Sequence, residues 1–337
     1  VSRRYEADIP RHDVTPERVF LDRRRFIATV GAGLAAAPSL LCASGPDPAA
    51  MLEPPYERPE VFPAEKNAAF SLPDAIPRET LTAREVAAAH NNFYELLPGR
   101  GGPVWKHAEA YEPVPWKVEV KGECHAPRTF DLDDLLAFEQ EERVYHFRCV
   151  ERWAMNVPWT GFPLAKLLKA VDPKSSARYV RFVSARRPEQ MPGLRETDWY
   201  PWPYHEGLRM DEALNELTLV VTGVYGKPLL KQHGAPVRIV VPWKYGYKNP
   251  KAIVEIELVR DEPSTFWQIQ PHEYGFLSNV NPFIPHPRWS QATSYWLGDE
   301  ETFPTPIFNG YGKYVAELYP DEPRTLQEPL RPGQRAR

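Results

Sequence analysis

Three cysteines are the first candidates for chemistry: Cys42, Cys124 and Cys149. Cys42 lies in an uncharged N-terminal run, which leaves two in the body of the chain. These could pair as a disulfide in an oxidising compartment. With His125 and His146 they could hold zinc, although adjacent Cys124 and His125 make no standard four-ligand spacing. A third possibility is a single thiolate bound to a soft metal centre. Cys149 ends the alternating segment Arg143 to Cys149 and opens what reads as a loop from Val150 to Trp159. Functional ligands are commonly placed at such strand ends.

Basic residues form the second group. Lys244, Lys248 and Lys251 follow an apolar strand. They read either as a solvated turn or, with Arg238, as a cradle for an anion. Trp153, Trp159, Trp202 and Trp243 read as core aromatics. Gly99-x-Gly101-Gly102 lacks the strand-to-helix setting of a dinucleotide fingerprint and reads as a turn. The chain carries no H-E-x-x-H, G-x-S-x-G or phosphate-loop motif.

The elements that must position these residues are short. Thr82 to His90 reads as a helix with Thr82 as a possible cap, and Phe130 to Phe138 as a second capped by Asp131. Pro163 to Val171 has amphipathic helical spacing. Strands are expected at Trp116–Gly122, Tyr179–Ser184, Leu217–Gly223, Val237–Val241 and, most clearly, Ala252–Val259. No internal repeat is present and no seam divides residues 80–275. The pattern is α+β, with mixed short strands and helices in a single catalytic domain. Residues 276–320 read as an aromatic, proline-rich packed tail.

The 337 residues include 38 prolines and 19 glycines, with a net charge of −4. Proline at twice glycine suggests an irregular chain that wraps something. Scattered charge of both signs argues against a nucleic-acid partner bound through a basic surface. Near the N-terminus, Arg23-Arg24-Arg25 precedes 21 uncharged residues, Phe26 to Pro46, rich in Gly and Ala. This is the pattern of a twin-arginine export signal. The expected organisation is a signal peptide at 1–45, a proline-rich arm at 46–80, a catalytic domain at 81–325 and a flexible tail at 326–337. The expected location is the periplasm, reached in the folded state.

Arg148-Cys149-Val150-Glu151-x-Trp153, followed by Pro158-Trp159-x-Gly161-Phe162-Pro163-Leu164, resembles the core of sulfite-oxidase-type molybdenum enzymes. More narrowly, the chain resembles the catalytic subunits of bacterial periplasmic protein-methionine-sulfoxide reductases. The matching segments are Asn91–Glu95, Arg187–Gly193, Gly223–Lys227, Val241–Gly246, Asn279–Pro282 and His286–Thr293. They run collinearly from about Asn91 to Tyr319.

The resemblance implies the molybdopterin-binding fold of that family and a Mo-molybdopterin cofactor. Cys149 matches the thiolate ligand to molybdenum. Asn91, Tyr94 and Glu95 match pterin-holding positions. Ser184 stands where the family usually has threonine and keeps the hydroxyl. Arg238 matches a phosphate ligand, for which a guanidinium fork is suited. His233 stands where the subgroup usually has asparagine; a histidine there is common in sulfite oxidases. Asn249 and Lys251 match further cofactor-binding positions, but the intervening Pro250 has no N–H to offer a phosphate. Glu151 is expected close to the metal, as proton relay or structural salt bridge.

The implied reaction removes oxygen from methionine sulfoxide in oxidised periplasmic proteins. The chain has no CxxC clusters for iron–sulfur centres and no c-type haem motif, so electrons must come from a partner. In the family this is a haem-containing membrane subunit that oxidises quinol. The alternatives are sulfite oxidation, reduction of another small sulfoxide or N-oxide, and a cofactor-free module stapled by Cys124–Cys149. Only 67 residues follow Gln270, fewer than the extra immunoglobulin-like domain of typical sulfite oxidases needs.

Overall fold

The structure is a computed structural model that describes residues 48–99 and 101–336. The expected export signal lies outside the described residues. The described residues form one compact unit.

Among the described residues there are thirteen strands. In chain order they are β1 (Glu65–Lys66), β2 (Lys117–Gly122), β3 (Arg128–Asp131), β4 (Glu141–Arg148), β5 (Trp153–Pro163), β6 (Tyr179–Ser184) and β7 (His205–Arg209). The remainder are β8 (Leu219–Val224), β9 (Lys227–Pro228), β10 (Arg238–Val240), β11 (Ile253–Val259), β12 (Thr293–Trp296) and β13 (Thr302–Pro304).

β3-β2-β11-β6-β7 make a five-stranded sheet, and the other eight strands make a second sheet around β5. On one side β5 pairs antiparallel with β4 along the whole of that strand. Its other edge is shared. Trp153 and Ala154 lie beside β12, whereas Trp159 to Pro163 lie beside β8.

The expected loop from Val150 to Trp159 is therefore corrected: only Val150 to Arg152 are loop, and an eleven-residue strand follows. Every residue of β5 but the last is buried, so it shows none of the alternation that marks a half-buried strand. Pro158 further disguises it, because proline is rare inside a sheet. β11 does alternate, but a bulge between Ile253 and Glu255 shifts the phase.

Helices are short. Leu132–Leu136 starts at Asp131, whose carboxylate accepts the N–H of Asp134 in a capping box. Arg84–Ala89 begins after Ala83, without a side-chain cap. Thr82 instead uses its Oγ to accept the N–H of Asn156 (3.1 Å), tying the chain before that helix to β5.

Proline-rich residues 48–80 pack on the domain through buried Phe62 and Ile76 and through β1, which runs parallel to β4. The aromatic tail adds the β12–β13 hairpin to the large sheet. Among the described residues no helix is long and apolar enough to cross a membrane.

Candidate functional site

Cys149 sits at the mouth of the hairpin between β4 and β5. Its N–H donates to the carbonyl of Trp153 (2.9 Å), and its own carbonyl accepts from the N–H of Arg152 (3.0 Å). Arg152 has φ = 80°, the left-handed position that completes a three-residue hairpin loop. A non-glycine residue there needs support. The guanidinium of Arg152 supplies it by donating to the carbonyl and hydroxyl of Thr293 (2.9 and 2.5 Å). The turn thus presents Sγ from a rigid strand end.

Sγ opens into a cavity of about 810 Å³, counting the solvent at its mouth. Asn91, Tyr94, Glu95, Cys149, Glu151, His233, Arg238 and Lys251 all line it, although they come from four separate stretches of chain. Ser184 and Asn249 do not. Ser184 is buried on β6, and its hydroxyl meets no protein partner. The Asn249 side chain holds its own loop together: Oδ1 accepts from Val241 N–H (2.5 Å), and Nδ2 donates to the carbonyls of Tyr245 and Gly246.

Two polar groups approach the sulfur. The amide of Asn92 lies 3.6 Å from Sγ, and the N–H of Glu151 lies 3.4 Å from it. Glu151 Oε2 accepts from Asn92 Nδ2 (3.2 Å) and from the indole N–H of Trp153 (3.3 Å). Burial pushes the Cys149 thiol up, and the Glu151 charge adds to that. A metal that takes this sulfur must therefore displace a firmly held proton.

The opposite wall is cationic. Burial lowers Arg238 to about 9, and among the described residues no carboxylate pairs with it. Its Nη1 donates to the carbonyl of His233 (3.0 Å), while Nε has no protein partner. Burial and Arg238 both push Lys251 down, and Glu95, itself pushed up by burial, opposes this. His233 is held near 3 by burial, so it is neutral. Its Nε2 donates to the carbonyl of Ala87 (3.2 Å), leaving Nδ1 as a buried acceptor without a protein partner. The indole N–H of Trp159 is in the same position.

Unsatisfied buried groups each cost about 1–3 kcal/mol. A ligand offering phosphate oxygens to the cations, with ring donors and acceptors elsewhere, would satisfy them. The residues present therefore fit a pterin phosphate bound beside a thiolate-ligated metal.

The expected lysine cradle is corrected for two of its members. Lys244 and Lys248 are buried ion-pair partners of Glu212 and Glu206, each at 2.6 Å. They fasten the loop after β10 to the helix and strand near residues 206–212; Lys251 alone of the three lines the cavity. Cys124 and Cys149 are separate, unpaired, buried thiols. Among the described residues no three His, Cys, Asp or Glu side chains converge as a metal site.

Sequence reasoning placed neither Asn92 nor the wall aromatics Tyr204, Tyr247, Trp267 and Tyr274 in the site. Asn92 was within reach, since it adjoins Asn91 in a matching segment. The aromatics carried no local signal, because a cavity wall and a core have the same composition.

Residues 105–267 match the oxidoreductase molybdopterin-binding domain family. The chain is 48% identical over 318 residues to a protein-methionine-sulfoxide reductase catalytic subunit of Burkholderia mallei, covering 93% of each chain. It is 45% identical over 330 residues to the corresponding subunit of Xanthomonas axonopodis pv. citri, covering 95% of this chain and 97% of that one. Among solved structures, the sulfane dehydrogenase SoxCD of Paracoccus pantotrophus aligns with a TM-score of 0.40 at 16% identity, over 65% of this chain and 60% of that one.

Proposed function

The chain belongs to the family of protein-methionine-sulfoxide reductase catalytic subunits, and from that premise we propose that it is a molybdenum-dependent oxidoreductase that reduces methionine sulfoxide residues in periplasmic proteins. One observation carries the reading: a single buried thiol, Cys149, shares a cavity with Lys251 and with Arg238, which forms no salt bridge among the described residues.

When bound, the molybdenum cofactor supplies two-electron oxygen-atom transfer. The protein groups do the rest. Arg238 and Lys251 would hold the phosphate, and His233 Nδ1 and the Trp159 N–H would orient the ring system. Cys149 would anchor the metal on the hairpin. Overall, the sulfoxide, two electrons and two protons give methionine and water. Glu151 would be the group placed to pass protons to the departing oxygen, and Asn92, whose amide lies beside Sγ, holds its carboxylate in place. The aromatic walls, Trp153, Trp267 and Tyr274 among them, suit a thioether.

Export through the twin-arginine route is supported by Arg23–Ile27 and the uncharged run that follows. The electron source we propose is a haem-containing membrane protein that oxidises quinol, since the sequence carries neither CxxC clusters for iron–sulfur centres nor a c-type haem motif. His233 favours a second reading, sulfite oxidation at the same centre. Metal analysis of the purified protein, together with sulfoxide-dependent oxidation of a reduced dye, tests the assignment. Near-stoichiometric molybdenum with turnover is expected, and a metal-free active protein would overturn it.

A further inference from the structure

Arg148 adjoins the cysteine, yet its guanidinium donates to no carboxylate among the described residues. It is fully buried, and all its acceptors are neutral: Ser294 Oγ (2.7 Å), Gln291 Oε1 (2.7 Å), the carbonyl of Thr293 (3.4 Å) and the carbonyl of Cys149. Among the described residues no salt bridge includes it. A buried cation without a counter-charge is expensive, because desolvation is not offset by attraction. The anionic group placed to offset it is the Cys149 sulfur, once that sulfur is a thiolate.

The way Arg148 is held is specific. Gln291 uses both ends of its amide. Oε1 accepts from Arg148, and Nε2 donates to the carbonyl of Val150 (2.9 Å). The indole N–H of Trp289 donates to that same carbonyl (2.9 Å). A segment some 140 positions away in sequence thus closes over the cysteine turn. A glutamate at 291 would make a stronger, bidentate pair with Arg148. The glutamine leaves the positive charge unneutralised.

We propose that Arg148, held by Gln291 and Ser294, is a positioning residue whose uncompensated charge raises the electron affinity of the cysteine-ligated centre. This rests on the molybdenum reading above. The physical reason is Coulombic: a fixed cation near the metal-bound sulfur stabilises the reduced, more negative state of the centre, more strongly inside the protein than in water.

The test is a redox titration of purified holoenzyme, following the paramagnetic one-electron-reduced state of molybdenum, with metal content measured on each sample. Gln291→Glu, nearly isosteric, should lower the midpoint potential by placing a carboxylate on Arg148. Arg148→Met should lower it too, whereas Arg148→Lys, which keeps the charge, should stay near wild type. Unchanged midpoints in Gln291→Glu and Arg148→Met overturn the proposal. So does an Arg148→Lys shift as large as that of Arg148→Met, because geometry and not charge would then be responsible. A wild-type protein that binds no molybdenum overturns the reading of the site itself, and this proposal with it.

Discussion

Gly234 and Lys251 are packed so closely that a Cβ on Gly234 would lie 2.4 Å from Lys251 Cβ. Gly234 also has φ = +91°, ending the short 3-10 helix Lys231–His233. The absent side chain lets the Lys251 stem cross the turn and reach the cavity wall shared with Arg238. Gly234→Ala should therefore displace Lys251 and lower cofactor retention. Arg238→Ala should lower it further, because the phosphate loses its fork. Molybdenum content after gel filtration reads both. Unchanged content in Arg238→Ala contradicts the phosphate role.

The two buried thiols should behave differently. Cys149→Ala should abolish reductase activity by removing the metal's anchor. Cys124 lies away from the cavity and bridges to Pro173, so Cys124→Ala should keep most of the activity. Initial rates with a reduced dye and a methionine-sulfoxide peptide compare them. Equal loss in both variants would contradict the placement of the site.

Part of this was legible in sequence and part was not, for identifiable reasons. Strand β6 was read at its observed bounds, and β11 to within one residue, because one-sided burial leaves alternation in the sequence. The part of β5 from Trp153 to Trp159 reads as loop because burial on both faces erases that signal. Cys149 and Arg238 stand in matching motifs, and the fold brings both to one cavity. The contacts of Arg148 with Gln291 and Ser294 were not readable, because they join positions 143 and 146 apart through tertiary structure alone. Lys244, Lys248 and Lys251 looked alike in sequence. Only the fold shows that two of them meet buried glutamates.

That distinction yields a stability prediction. Glu212 Oε1 receives both Lys244 Nζ (2.6 Å) and the Tyr319 hydroxyl (2.5 Å), all in the interior. Glu212→Gln would leave the ammonium buried without a counter-charge, costing about 3–5 kcal/mol. Glu119→Gln, which breaks the exposed Lys121 pair, should cost under about 1 kcal/mol. Chemical denaturation of both variants should separate them clearly. Equal losses would contradict the buried pairing.

Acid should destabilise the fold through its neutral histidines. Burial holds His146 near 4, with Arg148 adding to the effect, whereas an unfolded histidine titrates near 6.5. Between those values the unfolded chain binds the extra proton and the fold does not. Stability is therefore full above about pH 6.5 and falls as pH drops toward 4, by roughly 3 kcal/mol for this residue. The ring donates from Nδ1 to Asn156 Oδ1 (2.8 Å), so His146→Leu should be less stable at neutral pH. Its stability should fall less steeply with acid. Urea midpoints from pH 7 to 4.5 check this, and identical slopes would contradict the assignment.

The central claim is that oxygen leaves methionine sulfoxide at a molybdenum centre anchored by Cys149. The most direct measurement gives one holoenzyme preparation two assays: oxidation of a reduced dye by methionine-sulfoxide peptides, and reduction of an acceptor by sulfite. Sustained sulfoxide reduction, lost in Cys149→Ala, and negligible sulfite oxidation are expected. Sulfite turnover exceeding sulfoxide reduction would contradict it while leaving the metal site in place, and would identify His233 as the residue that had marked the other direction.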